Sequence, residues 1–349
     1  MDARSVAVTA ANGGRITAAD EVGYEYECPE FNYDETAYKN RIYQGFGKGN
    51  SDEKLICGPN IKDWPEMPPL NEHMLLKVCA WKDKIGGIMQ YGIPEFRLPK
   101  SVLDRYKKKM LEMGIRIRPN TTIGTVLKID DLLRDGYASV FVGTGVWKAR
   151  NLGIHGECLG NVHFGIDYLA NVKAYNLGEK VAIIGMGNAA MDVARTVLRN
   201  GARKVTLYAR GKTVTASSHE MSYAQLDGAE FVFGKEIQRI TEKGPVFKNT
   251  ILDENDRVIG CEEEEEQVEA DSVIICISQG PRGKLIRTTA GLEGTEKGLL
   301  VVDENGMTTK EGVFAAGDVV HGSKTVVHAV EGAKRAAESM IRYMENLSS

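Results

Sequence analysis

Four apolar residues run together at positions 181–184, and from Met191 onward the apolar positions change to helical spacing, at Met191, Val193, Ala194, Val197 and Leu198. A short unbroken apolar run predicts a buried strand, and the later set predicts one face of a helix. The turn Gly185-Met186-Gly187-Asn188-Ala189-Ala190 lies between them, and a second strand, Lys204 to Tyr208, follows the helix. Residues 179–210 therefore predict strand, turn, helix, strand. The run MLLKVCA at 74–80 reads as another buried strand, as do 115–118 and 139–143, the last ending in Gly143-Thr144-Gly145. Between them a helix is predicted from about Ser101, with Val102, Tyr106, Met110 and Met113 on one face, Lys107, Lys108 and Lys109 on the other, and Gly114 as its stop. The alternating stretch VFKNTILDENDRVIG predicts two strands joined by an Asp-rich turn, and the glutamates at 262–266 predict a solvated strand edge. Residues 6–10 are compatible with a short strand. The stretch 24–69, rich in Tyr, Glu, Asn, Gly and Pro, reads as irregular, with a boundary at the prolines of 65–69.

The turn at 185–190 fits the spacing G-x-G-x-x-A. In that pattern the first glycine makes the tight turn, the second lets backbone approach a pyrophosphate, and the third, small position packs helix on strand. The phosphates then sit at the helix N-terminus, where unpaired N–H groups and the helix dipole favour an anion. Gly185, Gly187, Asn188, Ala189 and Ala190 are the candidate contacts. The end of the second strand decides which dinucleotide: a carboxylate there accepts from a ribose 2′-OH, and an arginine nearby accommodates a 2′-phosphate. This chain offers Tyr208-Ala209-Arg210-Gly211-Lys212. Two cations and no carboxylate predict NADP(H), with Arg210 and Lys212 on the 2′-phosphate; a merely solvated basic loop is the alternative.

Composition narrows the classes. The chain has 349 residues, 42% hydrophobic and 26% charged, which fits about two α/β domains. A net charge of −4 and the lack of a basic run argue against nucleic acid as a partner. No apolar segment reaches the roughly 18 residues of a membrane span, and the start lacks a signal-peptide layout, so no membrane is expected and a cytoplasmic location is the expectation. Cys28, Cys57, Cys79, Cys158, Cys261 and Cys276 are scattered without a C-x-x-C, so neither a metal or iron–sulfur site nor a redox disulfide is predicted. Cys276, in the apolar run 273–277, reads as a buried reduced thiol. No Ser/His/Asp or Cys/His arrangement suggests a catalytic side chain.

Four ordered motifs carry a resemblance: KIGGIMQYGIPEFRLPK, the Gly143-Thr144-Gly145 turn, GMGNAAMDVAR, and TTKEGVFAAGDVVHGSKTVVHAVEGAKRAA. From about Met74 to the C-terminus the chain resembles the FAD/NADPH flavoproteins of the glutamate synthase small-subunit type. That group includes the NADPH-binding subunits of electron-bifurcating ferredoxin-dependent transhydrogenases and the amino-terminal part of dihydropyrimidine dehydrogenase. The resemblance implies an α/β fold with two nested Rossmann-like domains, the FAD domain interrupted by the NADPH domain. The implied boundaries are a divergent segment 1–73, an FAD-type part 74–151, an NADP(H) domain 152–278 with a β-hairpin region near 230–267, and a second FAD-type part 279–349. It also implies flavin contacts from Gly317, Asp318, Thr325 and Val326. Asp318 would accept from ribitol hydroxyls, and the helix starting near Thr325 would point its N–H groups at the pyrimidine edge. Gly87, Tyr91, Gly92, Ile93 and Pro94 would lie along the isoalloxazine ring, and Thr144 and Gly145 near the adenine. The implied partner is a redox subunit containing iron–sulfur clusters.

The sequence departs from that pattern at its start. No G-x-G-x-x-G turn precedes the strand at 74–80, the stretch Ala10-Ala11-Asn12-Gly13-Gly14 lies far upstream without the spacing, and Ala80-Trp81 occupies the place of the acidic residue expected to hold the adenosine ribose. The flavin-ring half of the site is thus present and the adenosine half in doubt. A strand from Ser5 to Thr9, or a partner chain, is needed to fill the gap that this leaves in the sheet. Two functions stay open: an NADPH-dependent flavoprotein oxidoreductase passing electrons between NADP(H), FAD and a partner subunit, or a truncated NADP(H)-binding subunit without FAD that docks or regulates.

Overall fold

A computed structural model describes residues 5–10, 75–125 and 127–348. The irregular stretch expected at 24–69, its boundary at 65–69, Cys28, Cys57 and the Gly13-Gly14 turn lie outside the described residues. In chain order the strands are β1 (Ser5–Ala10), β2 (Leu75–Cys79), β3 (Arg116–Arg118), β4 (Ser139–Gly143), β5 (Lys148–Ala149), β6 (Val162–Phe164), β7 (Lys180–Ile184) and β8 (Lys204–Ala209). They continue with β9 (Glu230–Phe233), β10 (Lys235–Thr241), β11 (Gly244–Leu252), β12 (Val258–Gln267), β13 (Ser272–Ile275), β14 (Gln279–Gly280) and β15 (Val313–Ala315). The helices used below are α1 (Gly87–Tyr91), α2 (Lys100–Glu112), α3 (Ile129–Arg134), α4 (Gly165–Ala170), α5 (Asn188–Arg199), α6 (Ser218–Leu226), α7 (Lys284–Thr288), α8 (Asp318–His321) and α9 (Val326–Ser348).

The chain divides into two compact units. The first comprises residues up to Gln90, Glu95–Lys148 and Gly280–Ser349; the second comprises Tyr91–Pro94 and Ala149–Gln279. The second is inserted into the first, the nested α/β arrangement that the resemblance implies.

In the first unit a five-stranded sheet runs in the order β15-β4-β1-β2-β3, and every pair in it is parallel. Alternate residues of β4 and β15 face opposite ways, as the two-residue strand period requires. Val140, Val142, Val313 and Ala315 cluster with Ile129 and Leu132 of α3, whereas Phe141 and Phe314 cluster with Ala333, Ala336, Met340 and Met344 of α9. A sheet covered on both faces is how parallel strands come to be almost continuously apolar. Helix α2 buries Val102, Tyr106 and Met110, as its spacing predicts. Met113 departs from that face: it is the residue after the last turn and is 38% exposed, because Gly114 at φ +78° has already turned the chain away.

Strand β1 lies at the centre of this sheet, with Thr9 opposite Cys79 of β2 and Ala10 opposite Gly143 of β4. The gap is filled from within the chain. Ala10 is the last residue of β1, and Ala11-Asn12-Gly13-Gly14 lie outside the described residues. Their spacing is not G-x-G-x-x-G.

The second unit has its own parallel sheet, in the order β6-β13-β7-β8-β9. On one face Val181, Ile183, Val205, Leu207 and Ile274 pack with Met191, Val193, Ala194 and Val197 of α5. On the other, Ala182, Ile184, Tyr208, Val273 and Ile275 pack with Ile237, Ile240 and Phe247 of the antiparallel β10-β11-β12 sheet. Tyr208 stacks on Phe247 with ring centroids 4.5 Å apart. The Asp-rich turn closes β11 onto β12 as predicted: Asp253 accepts from Asn255 and Arg257 N–H, and Asp256 takes φ +58°. Strand β12 is the edge of that sheet, with Glu262–Glu266 in solvent and paired in part to Asn249, Lys235 and Arg239.

Candidate functional site

The second unit presents the glycine turn at the carboxyl end of β7. Gly185 N–H donates to Tyr208 O at 2.9 Å, and the residue takes φ +122°. A Cβ at Gly185 would stand 2.4 Å from the carbonyl oxygen of Cys276, so only glycine lets β7 turn this close to the end of β13. Gly187 is ordinary extended backbone at φ −90°, and a Cβ there would meet only Thr215 Oγ1 at 3.6 Å. Nothing in the protein's own packing among the described residues demands glycine there, which leaves the position open to the close ligand approach that the motif implies. Ala190 is fully buried against the sheet, as the third, packing position should be. Gly187 caps α5 without a side-chain bond, and the N–H groups of Ala190 and Met191 donate to its carbonyl at 2.9 and 3.2 Å, which leaves those of Asn188 and Ala189 to face a ligand.

A neighbouring segment, absent from the sequence reading, closes on this turn. Ala216 N–H and Thr215 Oγ1 donate to Met186 O at 3.0 and 3.2 Å, and Ser217 N–H donates to Asn188 Oδ1 at 2.9 Å. The exposed Asn188 thus spends its oxygen on holding the loop. Ser217 also caps α6 through Glu220 N–H, so the S-x-x-E spacing was the available signal.

Arg210 and Lys212 follow β8 and are exposed. Arg210 Nε lies 3.4 Å from Glu236 and Lys212 Nζ 2.7 Å from Asp256. Exposed pairs of this kind are worth about 0–1 kcal/mol, so a phosphate dianion can displace either carboxylate at small cost. Cys276 is a free thiol whose desolvation pushes its pKa up to about 12, the inert state that the sequence predicts.

The first unit gathers Gly87, Thr144, Gly145, Gly317, Asp318, Thr325 and Val326, whereas Tyr91, Gly92, Ile93 and Pro94 group with the second unit. Gly317 ends β15 at φ +77°, and Asp318 opens α8. Asp318 Oδ1 accepts from Lys324 N–H at 3.1 Å. Burial nonetheless pushes its carboxyl up to about 6, with the Lys324 bond and the nearby His328 pulling the other way. Thr325 Oγ1 is 2.7 Å from His328 Nδ1, at the start of α9. Gly332 brings α9 against the end of β15: a Cβ there would lie 3.2 Å from that of Ala316.

Thr144 and Gly145, the latter at φ +66°, follow β4 and line a cavity of about 240 Å³ at the carboxyl ends of β2 and β4. Trp81 and Trp147 line it too, their ring centroids 5.8 Å apart in an edge-to-face contact. Trp147 Nε1 is buried and has no acceptor. The sequence reading missed this pair; two of the chain's three tryptophans just beyond two predicted strands were the signal. Among the described residues no His, Cys, Asp and Glu group could hold a metal, and no helix is long and apolar enough to cross a membrane.

Two parallel sheets, each with candidate dinucleotide positions at its strands' carboxyl ends, define a class of two-nucleotide redox proteins. The profile of the pyridine nucleotide-disulphide oxidoreductases matches residues 127–333, and the chain belongs to that family. The glutamate synthase [NADPH] small chain of Halomonas elongata is 34% identical over 293 residues, covering 75% of this chain and 61% of that protein. The NAD-dependent dihydropyrimidine dehydrogenase subunit PreT of Escherichia coli K12 is 32% identical over 270 residues, again covering 76% of this chain and 61% of that protein. The chain therefore spans about 61% of the length of these relatives. The structure of Mycobacterium tuberculosis FprA in complex with NADPH superposes with a TM-score of 0.69 over 99% of this chain and 85% of that one, at 15% identity. At that identity the likeness is one of fold. The resemblance read from the four motifs is borne out.

Proposed function

We propose that the chain is an NADPH-dependent flavoprotein oxidoreductase that passes electrons between NADP(H), FAD and a partner redox subunit containing iron–sulfur clusters. The observation that carries the nucleotide half is the turn at Gly185 to Ala190, followed at the end of β8 by Arg210 and Lys212. Relatives named for NADPH and for NAD both match the chain, so membership alone does not choose between them. The two cations do. Gly187 and the first-turn N–H groups of Asn188 and Ala189 bind the pyrophosphate, Gly185 makes the turn, Ala190 packs α5 on the sheet with its N–H donated to Gly187 O, and Arg210 and Lys212 bind the 2′-phosphate.

For FAD, the fit rests on the cavity beside Thr144 and Gly145 and on the buried Trp147 N–H that lacks an acceptor. Bound FAD supplies the two-electron chemistry that accepts hydride from a nicotinamide. The protein's part is placement: Asp318 would accept from ribitol hydroxyls, backbone N–H groups at Thr325 and Val326 would serve the pyrimidine edge, and Gly87 would lie along the ring, whereas Tyr91, Gly92, Ile93 and Pro94 group with the second unit and take no place in this site. No side chain is assigned a catalytic proton. The central β1 and the cavity favour this reading over an NADP(H)-binding subunit without FAD. The absorption spectrum of the purified protein tests it: a yellow protein with about one flavin per chain is expected, and a colourless protein that takes up no added FAD would refute it.

A further inference from the structure

Within the resemblance's placement of the adenosine end near Thr144 and Gly145, we propose that Arg282, held by Trp81, is the phosphate-binding cation of the first unit's cavity. The claim rests on the flavin reading above. The cavity, about 240 Å³, falls below the roughly 300–1,000 Å³ of sites for whole drug-sized ligands. It fits one end of a dinucleotide. Among the described residues its lining includes no carboxylate, and the position after β2 where an acid would stand is held by Ala80-Trp81.

What the walls offer is a cation on an aromatic platform. Arg282 Cζ lies 4.7 Å from the Trp81 ring centroid, and Lys82 Nζ lies 4.7 Å from the same ring. Arg282 has no carboxylate partner among the described residues, so the indole face is what fixes its guanidinium. A guanidinium stacked in this way keeps its N–H edge for two parallel bonds to phosphate. The sequence after β1 lacks the glycine spacing whose backbone N–H groups would otherwise offset the pyrophosphate charge. Arg282 supplies that charge from the opposite end of the chain. Trp147, another lining residue, carries a buried Nε1 donor with no partner among the described residues.

Trp81 thus acts as a positioning residue and Arg282 as a phosphate ligand. The test is displacement of FAD from the full chain by ADP and by adenosine. ADP should compete better than adenosine, and Arg282→Ala should erase that advantage while lowering FAD affinity roughly tenfold or more, the effect of losing a charge-assisted bond. Trp81→Leu should reproduce part of the loss, and Trp81→Phe should restore it. Riboflavin binding, which needs neither phosphate nor adenosine, should stay unchanged in all three and shows that they fold. An ADP advantage that survives Arg282→Ala overturns the proposal. If the protein binds no flavin at all, the proposed function falls, and the same comparison is then made by ADP quenching of indole fluorescence, two of the three tryptophans being in the cavity wall. There, equal quenching by ADP and adenosine contradicts the Arg282 assignment.

Discussion

Gly185 and Cys276 hold the second unit's phosphate turn and its neighbouring strand at backbone contact: a side chain on Gly185 would bring a Cβ within 2.4 Å of the Cys276 carbonyl oxygen. The obstacle is main chain and cannot rotate away, and φ +122° is itself foreign to an L side chain. Gly185→Ala should therefore cost about 1–3 kcal/mol of stability as well as nucleotide binding. Denaturant unfolding checks it, and a midpoint equal to that of the parent protein would show that the turn can relax.

Gly187→Val separates ligand from fold. Its Cβ would find only Thr215 Oγ1, at an ordinary 3.6 Å, so the folded protein should tolerate the change. The branched side chain stands where a pyrophosphate approaches the helix N-terminus. NADPH binding should vanish with unfolding unchanged; undiminished NADPH affinity would place the nucleotide elsewhere.

Nucleotide preference should rest on Arg210. Its ion pair with Glu236 is exposed and weak, so the guanidinium is available to a 2′-phosphate. NADPH should bind more tightly than NADH, and Arg210→Ala should remove roughly tenfold or more of NADPH affinity without changing NADH. Titration of both reduced nucleotides decides it, equal affinities in the parent protein being the contrary result.

Asp318 should make stability depend on pH. Burial holds its carboxyl at about 6, above the ordinary carboxylate range, so the folded protein prefers it protonated. That contribution is fully present below the unfolded value and is lost as pH rises through about 6. Asp318→Asn keeps an acceptor for Lys324 N–H and removes the buried charge. Without flavin, the variant should match the parent at about pH 4 and exceed it by up to about 3 kcal/mol at neutral pH. Parallel stability curves across that range would contradict the burial argument.

The strand, turn and helix of residues 180–199 were legible because local and tertiary demands agree there: each residue of β7 from Val181 to Ile184 is apolar for one of two covered faces, and the turn needs its first glycine for packing. The first unit was less legible. Strand β1 is six residues of modest apolarity whose meaning comes from pairing with β2 and β4, both distant in sequence. Met113 was expected in a core that Gly114 prevents it from reaching. The Trp81, Trp147 and Arg282 cluster joins residues about 65 and 200 positions apart, and no periodic signal connects such residues. Asp318 was legible by motif, whereas its raised pKa follows from burial that only the folded chain creates.

The central claim is that one chain binds NADPH in its second unit and a flavin in its first, and moves a hydride between them. Anaerobic addition of NADPH to the flavin-loaded protein, followed by absorption, tests this most directly. The account predicts that the oxidised flavin band bleaches with about one NADPH per flavin, and that NADH does so only at much higher concentration. A flavin that stays oxidised in excess NADPH would contradict it.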